Sequence, residues 1–136
     1  TVSSLPVDPE IQAHWAKYLC VLSSGFIESA TRAIFREYAN RNASIYVTNY
    51  VESKIKYFQN AKMNEIIALA REFNPQWASN IESMITDDLK TAVDSIVSNK
   101  NQIAHGQNVV ISFNTVKTYY QRAVKVIEFL EQQTNP

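Results

Sequence analysis

The sequence predicts an all-α fold, a bundle of five or six helices in one domain. Three observations carry this. Turn formers are scarce, with two glycines and four prolines in 136 residues, too few for the tight turns of an all-β fold. Apolar residues recur three and four apart in successive segments, the period of a helix face rather than a strand. Helix start signals stand where those runs begin: Asp8-Pro9, Ser44, Asn74-Pro75, Thr86-Asp87-Asp88 and Ser112. At 46% hydrophobic and 19% charged the chain reads as globular, and its length suffices for one packed core.

Residues 1–7 read as a loose leader. Asp8 then serves as N-cap, Pro9 as the first helical residue and Glu10 as an acid at the positive end of the helix dipole. Ile11, Trp15, Tyr18, Leu19, Leu22, Phe26, Ala30, Ala33 and Ile34 follow at helical spacing, predicting one long or kinked helix to about Ala39. Ser23-Ser24-Gly25 is where it would bend, and small residues there admit a neighbouring helix. Residues 40–43 form a polar connector. Ser44 caps a second helix carrying Ile45, Val47, Tyr50, Val51, Ile55 and Phe58; Ile45–Thr48 alone has strand propensity, but the longer period favours helix.

Residues 59–62 are the next break, and Met63 to Phe73 form a third, shorter helix. Asn74 and Pro75 start a brief fourth, of a turn or two. Two acids after Thr86 start a fifth, with Leu89, Ala92, Val93, Ile96, Val97 and Ile103 as its apolar face. After an extended connector to Ile111, Ser112 caps the last helix. Its Phe113, Val116, Tyr120, Ala123, Ile127 and Leu130 are spaced like a packed seam. Gln132 to Pro136 should fray.

Composition narrows the function. Lys+Arg and Asp+Glu both total 13, so the chain is no general electrostatic trap for nucleic acid, and RNA would need a local patch. Cys20 is the one cysteine, which excludes an internal disulfide and any cysteine-based zinc site. It suits a reducing cytoplasm, the expected location. No apolar run is long enough for a bilayer and no signal peptide pattern is visible, so no membrane partner is expected.

The most informative stretch is Ser98-Asn99-Lys100-Asn101-Gln102-Ile103-Ala104-His105-Gly106. It closes the fifth helix and holds one of two histidines. Asn101 and His105, four apart, share a helix face, whereas Lys100 and His105 are about 140° apart around an ideal helix. The same letters read as a helix stop: Gly106 suits the left-handed C′ position, and a last-turn histidine suits the negative end of the dipole. As chemistry, His105 takes or gives a proton at cellular pH. Asn101 orients it or holds a phosphate oxygen, and Lys100 offsets charge on a phosphorane-like transition state. The nearest upstream carboxylate, Asp94, is about two turns away, so neither a metal nor any other cofactor is expected.

Lys100-Asn101 followed by His105-Gly106 resembles the signature of the HEPN superfamily: arginine, a polar residue, a short spacer, then histidine, often followed by glycine. Ser24-Gly25-Phe26-Ile27-Glu28-Ser29-Ala30-Thr31-Arg32 is similar to the first-helix pattern of the RiboL-PSP-type HEPN domains of prokaryotes, and Asn101 to Gly106 to their motif helix. The spacing between the two also fits, so the resemblance spans most of the chain and implies a HEPN-like helical bundle. Lys100 stands where the family usually has arginine, which keeps the charge and loses the bidentate fork.

One histidine per motif supplies one proton-transfer group, and RNA cleavage by 2′-hydroxyl attack needs both a base and an acid. A symmetric homodimer supplies two, and the resemblance implies the same pairing of motif helices. It further implies a metal-independent endoribonuclease with Lys100, Asn101 and His105 at the centre. Such domains often act as toxins or defence effectors, with an antitoxin or another protein as partner. A non-catalytic HEPN module for dimerisation, protein interaction or nucleotide binding stands as the alternative, as does a helical domain with no site. Glu28 and Arg32, one turn apart, read either as an ion pair or as substrate-binding residues facing the motif cleft. Arg32, Arg36, Arg41, Lys54, Lys56 and Lys62, interleaved with Tyr46, Tyr50 and Tyr57, read either as a solvated helix face or as a surface for single-stranded RNA.

Overall fold

The computed structural model describes residues 8–136; the leader at 1–7 lies outside the described residues. Among the described residues the chain forms six helices and no strand: α1 (Pro9–Asn42), α2 (Ile45–Ile55), α3 (Met63–Phe73), α4 (Pro75–Met84), α5 (Asp87–Ala104) and α6 (Phe113–Thr134). The fold is an all-α helical bundle.

The start signals stand at the helix starts, and all but Thr86 make a side-chain capping bond. Asp8 accepts from Glu10 N–H at 2.8 Å, Asn74 from Gln76 N–H at 3.0 Å and Ser112 from Thr115 N–H at 3.1 Å, so each side-chain oxygen satisfies one of the orphan amides of a first turn. Four boundaries move. The second helix stops at Ile55, three residues before Phe58. The first helix runs unbroken through Ser23-Ser24-Gly25 to Asn42, whose amide donates to Tyr38 O at 2.9 Å. The fourth spans ten residues rather than a turn or two. The last reaches Thr134, past the point where fraying was expected: the buried Thr134 hydroxyl donates to Leu130 O at 3.1 Å, and the Gln133 amide donates to Trp77 O at 3.3 Å.

The bundle is built on α1, α5 and α6. Phe26 meets Tyr120, with ring centroids 5.6 Å apart. Further along, Tyr38 and Gln133 both meet Trp77, so α1 and α6 run parallel. The eight-residue connector 105–112 reverses α6 against α5, leaving α5 antiparallel to both. Phe35, Tyr38, Phe73 and Trp77 form an aromatic cluster that fixes α3 and α4 to the far end of α1, with centroids as close as 4.7 Å.

The buried face of α1 is not the one its large apolar residues suggest. Ile11, Trp15, Tyr18 and Leu22 are 37–65% exposed, while Ala16, Cys20, Ser23, Ser24 and Ile27 are buried. Small residues there let α5 and α6 approach closely, and the Cys20 thiol donates to Ile96 O at 3.4 Å. Burial pushes that thiol up to about 11. α2 lies on the other half of α1, held by buried Ile55 and by a bidentate pair in which Arg36 donates to both Glu52 oxygens at 2.6 and 3.0 Å. The guanidinium holds the Glu52 carboxylate below its ordinary range.

α3 receives its cap from another helix. Lys62, at the N-cap position, makes no side-chain bond; instead Met63 N–H donates to Asp94 Oδ1 on α5 at 2.8 Å. The preceding turn takes a left-handed residue at Asn60, φ 54°, a conformation asparagine tolerates.

Candidate functional site

The end of α5 is a rigid stop with an exposed histidine on it. His105 is the C-cap residue, φ −91° and ψ 11°, and Gly106 follows at φ +73°. Gly106 N–H donates to Ile103 O at 3.1 Å and Gln107 N–H to Gln102 O at 2.9 Å. These are the two bonds of a Schellman turn, which needs a residue free to go left-handed. Helix stop and candidate site are thus one object: the turn that ends the helix also fixes the backbone that carries the imidazole.

The three motif side chains divide around α5. Lys100, half-buried, continues the row of Val93, Ile96 and Val97 that packs into the bundle. Asn101 lies about 100° further round by the helical period. Counting back seven residues from it reaches Asp94, whose carboxylate caps α3. The face of α5 that α3 covers at Asp94 is therefore open two turns later, at half-buried Asn101 and exposed His105. Among the described residues, none of the Lys100 ammonium, the Asn101 amide and the His105 ring has a side-chain hydrogen-bond or ion-pair partner. Unpaired among the described residues, the Asn101 amide can bind a phosphate oxygen and the His105 ring can exchange a proton beside it, while Lys100 lies about 140° away around the helix. Asp94, committed to its cap, offers them no carboxylate, and among the described residues no cluster of three histidine, cysteine or acidic side chains could hold a metal ion.

A model of the RiboL-PSP-HEPN family matches residues 1–135. The chain belongs to the RiboL-PSP-HEPN family. No curated protein and no solved structure matches it.

Within one chain of this HEPN domain, Glu28 and Arg32 lie far from the motif. Arg32 is twelve residues beyond Cys20 on α1, and Lys100 four residues beyond Ile96 in the opposite direction. At 1.5 Å per residue the axial separation is about 24 Å. Both side chains are engaged: Arg32 pairs with Glu28 and donates from Nε to Phe58 O at 2.9 Å, while Glu28 accepts from Asn60 N–H at 3.3 Å. Together they staple the 56–62 connector to α1. The basic and aromatic run is divided: Arg32, Arg36 and Arg41 lie on α1, Tyr46, Tyr50 and Lys54 on α2, and Lys56, Tyr57 and Lys62 in the connector after it; the three tyrosines are exposed, and Lys54 and Lys56 reach over the rings of Tyr50 and Tyr57. Lys54 shares its groove with Glu65 and Glu72 of α3, so the groove carries acids beside its cation.

The sequence reading passed over a polar groove of about 370 Å³ behind the motif helix, lined by Ser95, Asn99, Ser112, Thr115 and Tyr119. The α5 residues lining it point away from Asn101 and His105. Its residues come from two helices joined through a loop, so no spacing in the sequence announces it. No helix among the described residues is long and apolar enough to cross a membrane.

Proposed function

We propose that this HEPN domain is a metal-independent endoribonuclease acting as a homodimer. The observation that supports the reading is that Lys100, Asn101 and His105 have no side-chain partner among the described residues, at a helix end whose backbone is held by the Gly106 turn. One His105 accepts the proton of the RNA 2′-hydroxyl, whose oxygen attacks the adjacent phosphorus. His105 of the partner subunit protonates the departing 5′-oxygen. Lys100 and Asn101 bind the phosphate oxygens and stabilise their charge. The P–O5′ bond breaks as the P–O2′ bond forms, leaving a 2′,3′-cyclic phosphate and a 5′-hydroxyl. No metal takes part.

Incubation of a generic RNA in EDTA with wild type and with His105→Ala tests this. Cleavage by wild type alone, with cyclic phosphate ends, is expected. Equal cleavage by His105→Ala refutes the assignment. Lys100 in place of arginine favours a second reading, a HEPN module that binds a protein or nucleotide without cutting RNA, because a lysine is a point charge where the bidentate fork would clamp a phosphate. If wild type is inactive and Lys100→Arg cuts, the second reading holds. The cellular role that fits the first is a cytoplasmic toxin or phage-defence effector restrained by an antitoxin. Growth arrest on induction of wild type but not of His105→Ala tests that role.

A further inference from the structure

α1 and α6 run side by side and leave a groove of about 450 Å³ between them. Phe26, Ala30 and Ile34 of α1 and Val124 and Ile127 of α6 form its apolar floor. Glu37, Glu128 and Glu131 stand on its rim with one cation, Arg41. The groove lies on the far half of the bundle from the motif. Ala30 is ten residues beyond Cys20, and Lys100 four beyond Ile96 in the opposite direction, an axial separation of about 21 Å. An occupant here leaves His105 open, so the surface goes beyond the proposed RNA cleft.

The rim acids are badly placed for the fold itself. Glu128 and Glu131 sit in the last two turns of α6, at the negative end of its dipole, and no basic residue stands in the last turn. Three apart on one helix, they repel each other. Neither has an ion-pair partner among the described residues, and Glu37 reaches Arg41 only at 3.9 Å. All three acids are exposed. Held at a cost around an apolar floor, they call for more cations than Arg41 supplies. The same field turns away RNA and anionic membrane surfaces.

The shape of the groove says what carries those cations. Its floor follows two parallel helices from Phe26 to Glu37, about 16 Å or three turns. The side of a helix offers no free backbone groups, so an extended peptide lying there buries its own amides and carbonyls unpaired. A helix arrives with them satisfied. Ala30 and Ala33 keep the α1 wall low, which lets the ridge of a third helix settle between the two. We infer that the groove receives a basic amphipathic helix of a partner protein. Its apolar residues, three and four apart, lie on the floor, and Lys or Arg on its flanks meet Glu37, Glu128 and Glu131.

Peptide binding tests this without reference to RNA. The probes are three labelled helical peptides of ~15 residues, each with one Leu face and with flanks of Lys, Gln or Glu. By fluorescence anisotropy the Lys peptide is expected to bind wild type about tenfold tighter than the Gln peptide, the sum of two or three rim ion pairs. The Glu peptide should bind most weakly. Glu128→Lys combined with Glu131→Lys should invert the order, and Ala33→Trp, at an exposed position, should block all three. Without peptide, Glu131→Lys should raise the unfolding midpoint, because a cation suits the end of α6, while it weakens binding of the Lys peptide. No preference for Lys, binding unchanged by Ala33→Trp, or a lowered midpoint in Glu131→Lys overturns the proposal. A wild-type dimer that Ala33→Trp splits in sedimentation equilibrium also overturns it, because a second copy then fills the groove.

Discussion

One chemical change, glycine to alanine, should have opposite effects at the chain's two glycines. At Gly106 a built Cβ meets nothing within 4 Å, so the substitution carries no steric term. What remains is the backbone, held at φ +73° by the bonds to Ile103 O and Gln102 O. An L-residue there costs about 1–2 kcal/mol, partly offset by the stiffer unfolded chain; a net loss of about 1 kcal/mol is expected for Gly106→Ala. At Gly25, in the interior of α1 with open space around it, alanine should stabilise by about 0.5–1 kcal/mol. Urea unfolding followed by circular dichroism, at concentrations low enough for monomers, reads both as midpoint shifts with an unchanged slope. Gly106→Asn should recover much of the loss, since asparagine visits the left-handed region. Because His105 is the residue just before the turn, Gly106→Ala should lower RNA cleavage further than its stability loss accounts for. A neutral or stabilised Gly106→Ala, or a destabilised Gly25→Ala under these conditions, refutes the reasoning.

Other substitutions probe other contacts. Asp94→Ala should cost about 1 kcal/mol, typical of a lost N-cap, and speed hydrogen exchange in the first turn of α3, while Asp94→Asn keeps an acceptor and most of the stability. Ser23→Ala should stabilise by about 1 kcal/mol, because the buried Ser23 hydroxyl has no partner among the described residues; an unchanged unfolding midpoint would count against that. Arg32→Gln should lose about 2 kcal/mol with its charged hydrogen bonds and leave cleavage per folded molecule unchanged. A fall in cleavage at full stability would instead make Arg32 a substrate-binding residue. The Cys20 thiol, raised from 9.0 to about 11 by burial, ionises more readily in the unfolded chain. Its contribution is complete below pH 9 and lost as pH rises toward 11. The stability difference between wild type and Cys20→Ala, measured at pH 8 and pH 11, should shrink accordingly.

What could be read from the sequence was local. Asp8, Asn74, Ser112 and Gly106 announce helix ends because a cap acts within two or three residues of itself, and the helices follow. Lys100, Asn101 and His105 were legible for the same reason, sitting within two turns of one helix. The orientation of α1 was not. Large apolar residues mark one face and small ones the other, and periodicity cannot say which of two apolar faces the bundle takes. Nor could the sequence pair Asp94 with Met63, or Glu28 and Arg32 with the 58–60 backbone, because these partners are 26 to 32 residues apart and meet only after the helices have packed.

The attachment of α2 sets where the molecule opens first. Among the described residues Ile55 is its one buried side chain, and the Arg36–Glu52 pair that assists it is partly exposed. Little apolar surface has to be wetted to lift this helix, so it detaches at a fraction of the energy of global unfolding. Each such excursion bares the backbone around Lys54 and Lys56. Under limited trypsin the chain should be nicked there well before the α1–α5–α6 bundle is touched, and the two fragments should stay together as one folded particle.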